Sequence, residues 1–243
     1  MLVTLTLWGV PTSRVPAAVA RMALDRRHLR RARTAGLRFA KLLGTGDGRT
    51  FTLRDADPRH WGLLAVWDDD AAADGFERGP TARGWRRIST ERLDVRMVPI
   101  ASRGSWSGRT PFGDPTATRP AGAGPVAAIT RARIRPGRAR AFWSAVPPVS
   151  TDLRAVAGLR LAVGIGEAPI GLQGTFSLWD GAGPLTEFAH RRAAHRVVVE
   201  RTAREGWYAE ELFARFAVRS VTGTFEGTEP LTGAEPLTGP APS

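Results

Sequence analysis

The stretch "GLLAVWDDDAAADGF" at residues 62–76 returns 112 residues later as "GTFSLWDGAGPLTEF" at 174–188, with Trp67 over Trp179, Asp68 over Asp180 and Phe76 over Phe188. Two further blocks repeat in the same order. "GLRFAKLLGTG" (36–46) matches "GLRLAVGIGEA" (158–168), and "LDVRMVPIASRGSWSG" (93–108) matches "FARFAVRSVTGTFEG" (213–227). Three matched blocks in one order point to an internal duplication.

Each half opens on an alternating apolar segment, "LVTLTLW" (2–8) and "VAAITRARI" (126–134), whose period of two predicts a half-buried strand. A helical stretch follows (15–32; 136–146), then the Gly-bounded strand, a strand ending in Trp-Asp, a helix opened by acidic or Gly-rich residues, and a closing strand. The order is βαββαβ, twice. One such unit makes an antiparallel sheet with helices on one face, and two units can bury their bare apolar faces against each other. The expected fold is therefore α+β: tandem ferredoxin-like units at 1–107 and 126–227 that pair their sheets within one chain, in the manner of a dimeric α/β barrel. Residues 108–125, "GRTPFGDPTATRPAGAGP", read as a Pro/Gly-rich linker, and 228–243, where "EPLTG" recurs, as a disordered tail.

A chain of 243 residues with 42% hydrophobic content can bury a sizeable core. Its net charge of +12 comes almost wholly from arginine, with Lys41 the single lysine, which reads in part as compositional bias. The basic runs do not alternate with aromatics, so no nucleic-acid partner is expected; a solvated basic face for an acidic protein or an anionic lipid surface is. The lack of cysteine excludes disulfides, thiolate-held haem, thiolate iron–sulfur clusters, cysteine zinc sites and a cysteine nucleophile. No signal-peptide pattern opens the chain and no apolar run reaches the ~18 residues of a spanning helix, so a cytoplasmic protein is expected, with at most peripheral contact at the inner membrane face.

The Gly-rich pieces "GTGDG" (44–48) and "GIGEAPIG" (164–171) match neither phosphate-binding pattern and read as turns between antiparallel strands. Among the four histidines, His28 lies between arginines on a helix and His60 follows "DADPR" at an expected turn. His190 and His195 are about 140 degrees apart around a helix and cannot clamp one metal from one face. A haem, however, needs one protein ligand only. His195 shares a helix side with Val198, Val199 and Thr202, and the repeat sets it over Arg83. Residue pattern alone leaves both a solvated helix histidine and a ligand open.

The blocks "RGSWSGRTPF" (103–112), "GPVAAITRARIRPGRARAFW" (124–143), "VGIGEAP" (163–169), "GTFSLW" (174–179) and "REGWYAEELFARF" (204–216) together resemble the spheroidene monooxygenase family, in collinear order over residues 1–227. The resemblance implies a carotenoid ketolase on an α+β barrel. Such an enzyme holds a b-type haem iron, uses O2 with electrons from an acidic reduced ferredoxin, and oxidises the C-2 methylene of an acyclic carotenoid to a ketone. The family's histidine twelve residues before the tryptophan of "EGW" falls on His195, which the resemblance makes the axial iron ligand, with His190 a bystander. Motif membership also singles out Lys41, Arg109 and Glu167 as polar residues for O–O cleavage, and Trp106 and Trp207 as neighbours of the cofactor. Core packing is the alternative for Trp106, Trp143 and Trp207.

This chain departs from the family pattern at "APIGLQ" (168–173), where a bulky aromatic and a histidine are expected, and at Tyr208, where a phenylalanine is. Another lipophilic substrate therefore stays open. So do a haem-dependent or cofactor-free tailoring enzyme on the same barrel, and a non-catalytic haem or lipid carrier. The arginines at 26, 27, 30, 31, 86 and 87 are the candidate face for ferredoxin.

Overall fold

In the computed structural model, which describes residues 1–31, 34–47, 55–113, 124–135, 137, 156–167, 172–191 and 208–231, the first alternating segment is strand β1 (Leu2–Gly9). Val3, Leu5 and Leu7 point to one side and Leu2 and Trp8 to the other, and both rows are buried. One row faces the inside of a barrel and the other a layer of helices. A strand covered on both faces needs apolar residues in both rows.

A short 3-10 turn (Thr12–Arg14) leads into α1 (Val15–Arg31), followed by β2 (Leu37–Gly46), β3 (Ala56–Trp67), α2 (Asp70–Glu77), α3 (Pro80–Arg86) and β4 (Glu91–Gly104). The second half contributes β5 (Val126–Ile134), β6 (Leu159–Gly166), β7 (Leu172–Trp179), α4 (Ala182–Arg191) and β8 (Tyr208–Gly223). The helix expected at 136–146 lies, apart from Gly137, outside the described residues. Local chemistry sets the helix starts. The Asp69 carboxylate accepts the Ala72 N–H at 2.9 Å to cap α2, and Pro80 opens α3 where its missing N–H costs nothing.

All pairings are antiparallel, and the strands close in the order β1-β3-β2-β6-β7-β5-β8-β4. The order β4-β1-β3-β2 in the first half recurs as β8-β5-β7-β6 in the second, so the expected α+β barrel of paired sheets is what forms. The two sheets also join edge to edge, which closes the ring. One seam is long, from Leu93↔Gly223 to Gly104↔Leu212, and the other is short, Gly44–Gly46 against Gly164–Gly166.

Residues of both halves fill the interior, among them Leu5, Leu64, Met97, Ile129, Phe176 and Phe216. In the outer layer of the first half, Trp8 stacks on Trp85 of α3 with ring centroids 4.7 Å apart and planes 4° from parallel. Asp25 of α1, fully buried, accepts from Arg21 (2.8 Å), the Thr81 hydroxyl (3.0 Å) and Trp85 Nε1 (3.0 Å), and so ties α1 to α3. A buried carboxylate is tolerable only with such donors.

Two matched turns close the barrel ends. Gly104 and Gly223 have φ of 89° and 88°, and a Cβ there would stand 2.1 Å from the Glu211 carbonyl oxygen or 2.0 Å from that of Arg92. Only glycine fits both the backbone angle and the contact. Beyond them the chain folds back, with Trp106 bridged to Arg109 and Phe225 to Thr228. Phe112, inside the stretch read as a linker, is buried edge-on against Phe216 at 4.9 Å, and Leu231 packs on the interior at the other end.

Candidate active site

At the barrel end closed by the first turn, the interior row of β5 carries Arg131, only 3% exposed. Its guanidinium pairs with Glu210 at the start of β8, reaches Glu167 at 3.2 Å just past β6, and lies 5.3 Å over the Trp106 ring. Trp106 Nε1 donates to Glu167 Oε1 at 2.5 Å. Lys41 on β2 donates to the other oxygen of Glu167 at 2.5 Å and to the Ser107 hydroxyl at 2.6 Å. Glu167 is thus held by three donors from three elements, and Glu210 is reached by a second arginine, Arg133, at 3.3 Å.

Glu210 is the most strongly perturbed group of the network. Burial opposes its charge, but the Gly108 N–H at 2.7 Å, the Arg131 guanidinium and the Ser107 N–H outweigh it and hold its pKa at about 2, against an ordinary 4.5. A depressed carboxylate pKa stabilises the fold above the unfolded value and loses that effect as pH falls through the folded one. Acid titration from about pH 4.5 to about 2 should therefore destabilise the wild type in a step that Glu210→Gln lacks. Equal acid slopes for the two proteins would contradict the assignment.

The structure brings Lys41, Glu167 and Trp106 into direct contact, although Lys41 and Glu167 are 126 residues apart in the chain. Arg109 has its guanidinium 5.7 Å over Phe39 and donates to the Arg38 carbonyl at 3.0 Å. His195, Trp207 and Trp143 lie outside the described residues. Sequence reasoning passed over Arg131 and Glu210. The signal for Arg131 was present: it shares the inward row of β5 with Ala127 and Ile129, where a charge must find partners.

The other barrel end carries a different set. His60 is a buried residue within β3, not the turn residue expected. Its Nδ1 lies 2.5 Å from Asp57 Oδ2 and its Nε2 3.1 Å from Glu91 Oε2, with the Phe225 ring 4.7 Å away. Burial disfavours a charged imidazole, but the hydrogen bonds to Asp57 and Glu91 outweigh it and raise the His60 pKa. Glu91 also accepts the Gly227 N–H at 2.7 Å and the Thr224 hydroxyl at 2.9 Å, the same grip that Glu210 has on Gly108 and Ser105.

A closed ring of antiparallel strands with helices outside it is the architecture of the α+β barrel proteins. The solved structure of an aldoxime dehydratase superposes with a TM-score of 0.58, over 89% of this chain and 80% of that one, at 10% identity; a second, described as OxdRE in complex with butyraldoxime, gives 0.54 over 89% and 79% at 13%. At such identities the likeness is one of fold. No protein-family model matches the chain. Sequence comparison is more specific: the spheroidene monooxygenase of Rhodobacter capsulatus is 36% identical over 221 residues, covering 90% of each chain, and that of Rubrivivax gelatinosus is 41% identical over 194 residues, covering 79% of this chain and 73% of its own. The chain belongs to the spheroidene monooxygenase family, and so to the monooxygenases. Among the described residues, no helix is long and apolar enough to cross a membrane.

Proposed function

We propose that the chain is a haem-dependent monooxygenase that uses O2 and electrons from reduced ferredoxin to hydroxylate, and then ketonise, an apolar polyene such as an acyclic carotenoid. One contrast between the two sheets carries the reading. On the outward face of the first, the rungs hold Trp8 opposite Trp61 and Leu63 opposite Leu42. The same rungs of the second hold Ala132 opposite Gln173 and Thr175 opposite Gly164. By the 112-residue offset, Trp85, which stacks on Trp8, falls at Val197, and Arg83 at His195. The second half thus sets Ala132, Thr175 and Gly164 where the first has Trp8, Leu63 and Leu42. This is a face that suits a flat macrocycle.

The family pattern, whose histidine twelve residues before the tryptophan of "EGW" falls on His195, assigns the iron to that residue. A haem bound there would supply the O2 and electron-transfer chemistry that side chains lack. The chain's own groups orient and protonate. Arg131 immediately precedes Ala132 but points to the barrel interior, so the ion network and the outward face share strand β5 and meet only at the barrel rim. In this reading Lys41 and Glu167 pass protons inward from the barrel rim, Trp106 fixes the Glu167 carboxylate, and Arg109 braces Phe39.

Each turnover places one oxygen atom in a C–H bond and reduces the other to water with two electrons and two protons. A first turnover gives the alcohol, and a second the geminal diol, which loses water to the ketone. Arg26, Arg27, Arg86 and Arg87 are exposed, offering a basic face to an acidic ferredoxin or an anionic membrane surface.

Protein produced with ample haem should show a Soret band that is lost in His195→Ala and in Ala132→Trp, which sets on that outward face the bulk that Trp8 has in the first half, and retained in His190→Ala. Equal haem content in all three variants would overturn the assignment. In a carotenoid-making host, the product's mass spectrum should show one oxygen gained and two hydrogens lost.

A further inference from the structure

We propose that Asp57, His60 and Glu226 form a binding site for one divalent transition-metal ion, at the barrel end opposite the Arg131 network. One donor atom from each, a carboxylate oxygen or a His60 ring nitrogen, lies within 4.8 Å of the other two. His60 and Asp57 come from β3, and Glu226 from the turn after β8. Glu226 is exposed and has no hydrogen-bond or ion-pair partner among the described residues, so an ion has both a free ligand and a path from solvent.

The imidazole is already oriented for this task. Glu91, 3.1 Å from Nε2, accepts that N–H, so an ion that displaces the Nδ1 proton meets the Nδ1 lone pair on the Asp57 side. A carboxylate behind a histidine fixes the ring and its tautomer in many metal sites. One nitrogen and two carboxylate oxygens form a borderline donor set that suits Zn2+ or its first-row neighbours. Three carboxylates, those of Asp57, Glu91 and Glu226, also converge here in a chain that is otherwise strongly basic.

A second observation comes from comparing the two ends. Residues that serve closure of the barrel recur 119 positions apart: Glu91 and Glu210, Gly104 and Gly223, Gly108 and Gly227. None of the three donors recurs. The counterpart of Glu226 is Ser107, that of Asp57 is Pro169, and that of His60 is Leu172, since Gly9↔His60 and Arg133↔Leu172 are matching rungs. A requirement of the scaffold would appear at both ends. Donors gathered at one end alone answer to something bound there, and an ion held by them fastens the final turn to β3.

The full chain, with any resident cofactor left in place, should be freed of metal with a chelator and titrated calorimetrically with Zn2+. We expect one equivalent to bind, an affinity at least about tenfold weaker in Glu226→Gln and in Asp57→Asn, and no change in His28→Ala or His190→Ala. Zn2+ should also raise the thermal midpoint of the wild type and not that of Glu226→Gln. Because Glu226 is exposed, its replacement does not endanger folding. No stoichiometric uptake, or undiminished affinity in Glu226→Gln, would overturn the site, whatever the haem experiments show.

Discussion

Arg131→Leu should destabilise the protein by about 3–5 kcal/mol, the range for a buried ion pair that loses one partner. The arginine is enclosed by Glu210, Glu167 and the Trp106 face, with no solvent to take over its charge. Its removal leaves Glu210 with its backbone and hydroxyl donors and the half-exposed Arg133 at 3.3 Å, and Glu167 with Lys41 and Trp106. Urea denaturation at neutral pH is the direct measurement. The double variant Arg131→Leu with Glu210→Gln should recover part of the loss, since the stranded charge goes with the second change. A single-variant loss below about 1 kcal/mol would mean that water reaches the pair and that it behaves as a surface contact.

Trp8→Ala carries an expected loss of similar size, about 3–5 kcal/mol, for a different reason. The indole is fully buried and stacked on Trp85, so its deletion leaves a cavity between sheet and helix that the rigid strand cannot collapse to fill. Trp85→Ala removes the same stack and a donor to buried Asp25, and should cost at least as much. Since the rings touch, the double variant should lose less than the sum of the two. Additive losses in thermal or chemical unfolding would show that the stack contributes nothing beyond the burial of each ring.

The barrel was legible because a period of two, repeated in the same order in both halves, specifies both the strands and which face each one buries. How the sheets join was not. The short seam is three rungs of Gly44, Thr45 and Gly46 against Gly166, Ile165 and Gly164, too short and too glycine-rich for its pattern to announce a partner. His60 was misplaced for a reason visible in the ladder. Pro58 argues for a turn, but the register between β2 and β3 slips from Gly44↔Trp61 to Thr45↔Asp57, so Pro58 sits in a bulge where no ladder N–H is needed and the strand runs on. Motif membership found Lys41, Glu167 and Trp106, yet no spacing foretold that they share hydrogen bonds, because closure of the ring alone brings β2, β6 and the turn after β4 together.

The two closing turns are held reciprocally. Glu210 of the second half grips the turn of the first, and Glu91 of the first half grips the turn of the second. Between separate half-chains, each clasp would be an intermolecular bond made at the prevailing protein concentration. On one chain, both act at the far higher effective concentration that a covalent tether sets. Fusion also lifts a restriction of twofold symmetry, under which any substitution appears twice and must suit both ends. Freed from it, one rim of this barrel can hold an arginine among glutamates while the other holds a histidine among carboxylates, and each can specialise without disturbing its twin.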